Sequence, residues 1–149
     1  MMDIYQILRQ EHDEVQDMLD QQIEKKKAGR ADDRVMKEIQ QQLSIHLSGE
    51  EKLFYPQLTQ SDESKQNTFE AYEEHHVAKV TLNELMRMSP DDERWLAKLK
   101  VLKELVDHHV QEEERNLFKA AKKVLSNDQA KEIGQKYQQE KEKQLGKSK

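Results

Sequence analysis

All six histidines of this chain fall into four short stretches, at His12, His46, His75/His76 and His108/His109, and two of those stretches carry a glutamate four residues further on. Residues i and i+4 leave an α-helix on the same face, so His46 with Glu50, and His109 with Glu113, would each aim an imidazole and a carboxylate at one point. Imidazole and carboxylate are the usual nitrogen and oxygen ligands of iron, manganese and zinc, and a carboxylate can also bridge two ions. Cysteine is absent, which removes thiolate zinc sites, iron–sulfur clusters and disulfides together. The chemistry within reach of these residues is that of a metal centre inside a bundle of helices.

Such a centre needs elements that turn the ligands inward. The 149 residues fit one domain, and 34% hydrophobic with 37% charged residues, four glycines and two prolines favour long amphipathic helices over sheets. The breaks predict a first helix from about Asp3 to Lys27 that stops at Gly29, and a second capped by Asp32 or Asp33 that runs to about Leu58. A third should span about Asp62 to Met88. The fourth should start at Ser89 as cap with Pro90 in first position and end near Val124. Ser126 with Gln129 three later signals one more helix, weakened by Gly134, and the stretch from Gln135 to Lys149 reads as a solvated helix and frayed tail.

On these helices the polar residues interrupt apolar stripes in phase. Met36, Ile39 and Leu43 lead to His46 and Glu50, then Leu53 and Phe54; Trp95, Leu99, Leu102 and Val106 lead to His109 and Glu113, then Leu117. His12 lies between Leu8 and Val15, and His75 on a line with Ala71, Ala78, Leu82 and Leu85. Neighbouring helical residues diverge by about 100°, so only one of each histidine pair can face inward. Spacing favours His109 over His108, while His75 and His76 are less clearly separated. Glu73 and His76 also match the Glu-x-x-His motif of ferritin-like dimetal bundles, but no second copy is present. A single histidine, or a single His-x-x-x-Glu pair, is commonly structural. Two pairs in phase, with in-phase histidines on the other two helices, point to metal, because a buried unpaired carboxylate costs several kcal/mol.

The net charge of −5 is spread over alternating acidic and basic positions, so nucleic acid is not an expected partner. No run approaches the roughly 18 apolar residues of a membrane span, and the start MMDIYQILRQ lacks signal-peptide regions, so a cytoplasmic location is expected.

The segments DIYQILRQEHDEV, HLSGEEKLFYP, EEHHVAKVTLNEL and HHVQEEERNLFKAA, in this order, resemble the hemerythrin-like HHE cation-binding domain over about Asp3 to Val124. The resemblance implies an all-α, up-and-down four-helix bundle over residues 1–125, with residues 126–149 forming a short extra C-terminal helix and tail. It also implies a non-haem site of two iron ions, oxo- or hydroxo-bridged, held by His12, His46, Glu50, His75, His109 and Glu113. Oxygen-carrying hemerythrins have a second histidine one turn after the first on the third helix, where this chain has Lys79, and many members have proline where it has Lys119. With six-coordinate irons, one or two coordination positions stay open, depending on whether His76 or another side chain also binds. The resemblance implies reversible binding of dioxygen, or of another small diatomic or peroxide ligand, beside apolar neighbours such as Leu43, Leu82, Leu102 and Val106. Tyr55, Tyr72, His76 and His108 are candidate proton donors around the site. The alternatives are a diiron enzyme or iron-handling protein acting on peroxide or nitric oxide, and a metal-free helical interaction module.

Overall fold

A computed structural model describes residues 1–147; Ser148 and Lys149, at the end of the expected tail, lie outside the described residues. Helix α1 spans Ile4–Lys27. It is started by a reciprocal cap in which the Asp3 carboxylate accepts from the Gln6 amide at 2.9 Å and the Gln6 side chain accepts from the Asp3 amide at 3.0 Å. It stops at Gly29, whose φ of 127° belongs to a region that side chains disfavour, with the Arg30 amide bonded back to the Lys25 carbonyl. Asp32 then caps α2, Asp33–Gly49. The loop between is pinned to α1 by Gln22, which donates to the Asp32 carbonyl at 2.8 Å and accepts from its amide at 2.9 Å.

Helix α2 continues without a break through a π-helical turn, Glu50–Phe54, into α3, Tyr55–Leu58. The same construction recurs in α5, Trp95–Glu112, a second π turn, Glu113–Leu117, and α6, Phe118–Val124. In each turn the bond reaches back five residues, Tyr55 N–H to the Glu50 carbonyl and Phe118 N–H to that of Glu113, so one extra residue is absorbed and the stripe beyond it rotates. The expected inward pair Leu53 and Phe54 is accordingly replaced by Phe54 and Tyr55, both fully buried, while Leu53 is only half-buried. Pro56 lacks an amide donor and suits the first turn, but Lys119 holds the equivalent place after the second, so proline is not the cause.

The third rod is α4, Asp62–Arg87, capped by Ser61. The expected start of the next helix at Ser89 and Pro90 is corrected: regular helix begins at Trp95. Ser89 caps only a turn, accepting from the Asp91 amide at 3.2 Å, and Asp92 then captures the Arg94 amide at 2.8 Å. Short polar side chains that bond their own backbone compete with the helical ladder in this way. The C-terminal helix forms from the reciprocal Ser126 and Gln129 cap. This helix, α7, Asn127–Lys147, is 21 residues long, and its second half is not wholly solvated, because Tyr137 is buried against the bundle.

The first four rods form a ring in which each packs on its two neighbours, and α7 lies across α1 and α2. Two apolar clusters fill the interior. One gathers Ile4, Leu8, Phe54, Tyr55, Phe118 and Tyr137; the other gathers Leu19, Ile39, Leu43, Leu82, Trp95 and Leu99. Between Leu8 and Val15 on α1, and at the matching heights of the other three rods, the ring carries a buried polar layer. Among the described residues no helix is long and apolar enough to cross a membrane.

Candidate metal centre

The polar layer consists of His12 from α1, His46 and Glu50 from the second rod, His75 from α4, and His109 and Glu113 from the fourth, all buried. Their ligand atoms make two groups that share both glutamates: His12, His46, Glu50 and Glu113, and Glu50, His75, His109 and Glu113. Within each group the donor atoms lie within 4.8 Å of one another. The Nε2 atoms of His12, His46 and His75 each stand 3.1 Å from an oxygen of Glu113 or Glu50, and that of His109 stands 3.3 Å from Glu113.

Those contacts are close but poorly aligned as hydrogen bonds. His12 Nε2, His46 Nε2, both Glu50 oxygens and Glu113 Oε1 are buried with no hydrogen-bond partner. Orphaned polar atoms of this kind are costly, and so many pointing at one place fit a cation that accepts all their lone pairs. The donor set of imidazoles and carboxylates suits iron, manganese or zinc, and each group could hold one ion.

The outer nitrogens are fully committed. His12 Nδ1 bonds Glu114 at 2.6 Å, His46 Nδ1 bonds Glu11 at 2.8 Å, His75 Nδ1 bonds Glu51 at 2.7 Å, and His109 Nδ1 bonds Glu74 at 2.8 Å. A carboxylate on Nδ1 places the proton there and leaves the Nε2 lone pair free to face the centre. Burial pushes the His46 imidazolium down, but the Glu50 charge beside it and the bond to Glu11 outweigh it and lift it to about 10. Burial likewise pushes the Glu11 carboxyl up, yet His46, Lys141 and Tyr137 draw it down to about 2. Glu50, against the same burial, is held well below the usual carboxylate range by His46, Glu113 and His109. Protons and a cation thus compete for one cluster of negative charge.

Tyr55 enters the layer more deeply than a peripheral donor would. Its hydroxyl lies 3.0 Å from His75 Nε2 and 3.4 Å from His109 Nε2 and bonds Glu113. Tyr72 is half-buried at the margin of the apolar cluster and meets the Tyr55 ring edge-on, centroids 5.2 Å apart. His76 and Glu73 both face solvent, so the ferritin-like pairing does not form. His108 is 65% exposed and reaches only the outer oxygen of Glu74, at 3.3 Å. Glu11, Glu51, Glu74 and Glu114 were missed by sequence reasoning, although each adjoins a site residue in the doublets Glu11-His12, Glu50-Glu51, Glu74-His75 and Glu113-Glu114. For Tyr137 and Lys141 no local signal exists.

The profile of the hemerythrin HHE cation-binding domain matches residues 3–121. The chain belongs to that family. Helix α7 lies beyond the matched stretch of this HHE protein. Its fold is also that of the crystal structure of an HHE cation-binding domain-containing protein from Mycobacterium kansasii, with a TM-score of 0.83 over 99% of this chain and 90% of that one at 21% identity. A protein of Nostoc sp. (strain PCC 7120 / SAG 25.82 / UTEX 2576) named DNA nickase is 27% identical over 128 residues, which are 86% of this chain and 36% of the relative. The HHE chain therefore spans about a third of that protein's length.

Beside the polar layer of the HHE bundle lies a small cavity lined by the four inward histidines and by Val15, Leu43, Leu47, Ala78, Val106 and Val110. It offers about 20 Å³ to the centre of a water-sized molecule, room for one or so. Leu43 and Val106 line it as expected; Leu82 and Leu102 do not, being packed in the apolar cluster one layer away.

Proposed function

We propose that this HHE domain holds two iron ions, oxo- or hydroxo-bridged, with His12 and His46 on one, His75 and His109 on the other, and Glu50 and Glu113 shared, and that it binds dioxygen in the cytoplasm. The observation that carries the reading is the pair of shared, buried carboxylates with unpartnered oxygens facing four Nε2 atoms. When bound, iron would supply reversible electron donation to a small oxidant. The chain's own residues do the rest: the Nδ1 carboxylates orient the imidazoles, and Val15, Leu43 and Val106 keep bulk water away from the cavity. A cysteine-free chain needs no oxidising compartment.

A second reading rests on Tyr55. A phenolic O–H that reaches Glu113 and the His75 and His109 nitrogens puts a proton donor inside the site. A proton at hand favours turnover of peroxide or nitric oxide, or oxidation of iron, over intact release of dioxygen. The net charge of −5, with lysines such as Lys25, Lys98 and Lys103 paired to Asp32, Glu84 and Asp107, argues against nucleic acid as a partner.

Anaerobic iron loading, metal counting by mass spectrometry and an optical spectrum during exposure to and removal of dioxygen test both readings. Two irons with a band that comes and goes with dioxygen support a carrier or sensor. Irreversible oxidation moves the assignment to the Tyr55 reading, and absence of stoichiometric metal overturns both.

A further inference from the structure

Each outer carboxylate of the centre has its own outer partner, but they are not equivalent. Glu114 pairs with Arg9 at 2.9 Å, Glu51 with Lys79 at 2.6 Å and Glu74 with His108 at 3.3 Å, and these three carboxylate side chains are 24%, 26% and 23% exposed. Glu11 is only 9% exposed and is held from α7: Lys141 donates to Oε2 at 2.7 Å, and the Tyr137 hydroxyl donates to Oε1, the same oxygen that meets His46 Nδ1. Tyr137 is itself 1% exposed.

The seat of α7 is built to bring these two side chains in. A Cβ at Gly49 would stand 2.5 Å from the Tyr137 ring, and a Cβ at Gly134 would stand 2.8 Å from the Met2 carbonyl oxygen. Glycine on α2 makes room for the ring, and glycine on α7 lets its backbone press against the start of α1. Both clearances serve a helix outside the matched family segment.

We infer that α7 is a working part of the metal centre, with Tyr137 and Lys141 as positioning residues that hold Glu11 and through it set how strongly His46 donates to its cation. The inference rests on the dimetal reading above. A carboxylate on Nδ1 pulls the proton toward itself and makes the imidazole a stronger donor. One that already accepts from a phenol and an ammonium has its charge spread over three donors and pulls less. The His46 arm is therefore the weaker donor of the four, and the iron beside it is the more easily kept reduced.

The test uses the full chain loaded with isotopically enriched iron, read by Mössbauer spectroscopy of the reduced form and by redox titration. Tyr137→Phe and Lys141→Met should still fill with iron at saturation, because Glu11 and its bond to His46 remain. Each should change the resonance of one iron and shift its potential downward, while Lys141→Arg should stay near wild type. Lys79→Met, acting through Glu51 on His75, should move the other iron. If the wild type holds two irons and both α7 variants keep its spectrum and potential, even with lowered stability, α7 is only packing and the inference falls alone. If the wild type takes up no stoichiometric iron, the dimetal reading falls and this inference with it.

Discussion

Glu114 bonds His12 Nδ1 at 2.6 Å from the fourth rod, while its sequence neighbour Glu113 stands 3.1 Å from Nε2 of the same ring. The pattern closes into a circle: Glu11 on α1 serves His46 on α2, Glu51 serves His75 on α4, Glu74 on α4 serves His109 on α5, and Glu114 returns to His12. Each rod thus supplies an inward side chain to the centre and an outer carboxylate that orients the histidine of the next rod.

Changing Glu114 or Glu74 to Gln should weaken metal binding by about 10- to 100-fold without loss of helical content, because the imidazole loses its orienting charge while the fold keeps its packing. Competition against a chelator of known strength measures it. An unchanged affinity would remove the circle from any role in the centre.

Glu50→Ala and Glu113→Ala should each empty the shared site, since either deletion takes a ligand from both groups. His108→Ala and His76→Ala should leave metal content unchanged, because both side chains face solvent. Metal counting per chain separates the two pairs of variants. Full content in the glutamate variants would sink the assignment.

The metal-free chain should lose stability as the solution is made alkaline. Folding raises His46 from 6.5 to about 10, so its contribution is complete below about 6.5 and disappears as pH climbs through about 10. Glu50 is lowered from 4.5, and its contribution is present above that value and lost as pH falls. Metal binding should run the other way, strengthening as pH rises, because the cation displaces the proton on His46. Urea midpoints of chelator-treated protein across this range are the check, and a flat profile would contradict it.

Gly49→Ala should lift Tyr137 off α2, because its Cβ would lie 2.5 Å from the ring. Overpacking of this kind costs about 1–3 kcal/mol. Hydrogen exchange should accelerate in residues 127–147 and stay slow in α1 and α5. Equal protection in all helices would show that the ring adjusts without undocking α7.

His46 with Glu50, and His109 with Glu113, were legible because i and i+4 share a helix face whatever else the chain does, and the apolar stripe around them announced that the face was buried. The same logic separated His109 from His108 and put His12 in phase with its stripe, but it left His75 and His76 less clearly separated, and the full set of six came with the family resemblance. The π turns after Glu50 and Glu113 were not, because exchanging a four-residue bond for a five-residue one is decided by which side chains the neighbouring rods must receive, here Tyr55 and Phe118. Nor was the start at Trp95, where Ser89 and Asp92 each bond the backbone two residues on and so hold the chain in turns before the helix. The outer carboxylates, and the reach of Tyr137 and Lys141 to Glu11 across more than a hundred residues of chain, depend on which rods lie side by side and how each is rotated. Spacing within one helix is a property of the sequence alone; a bond between helices exists only once the tertiary structure has chosen the neighbours.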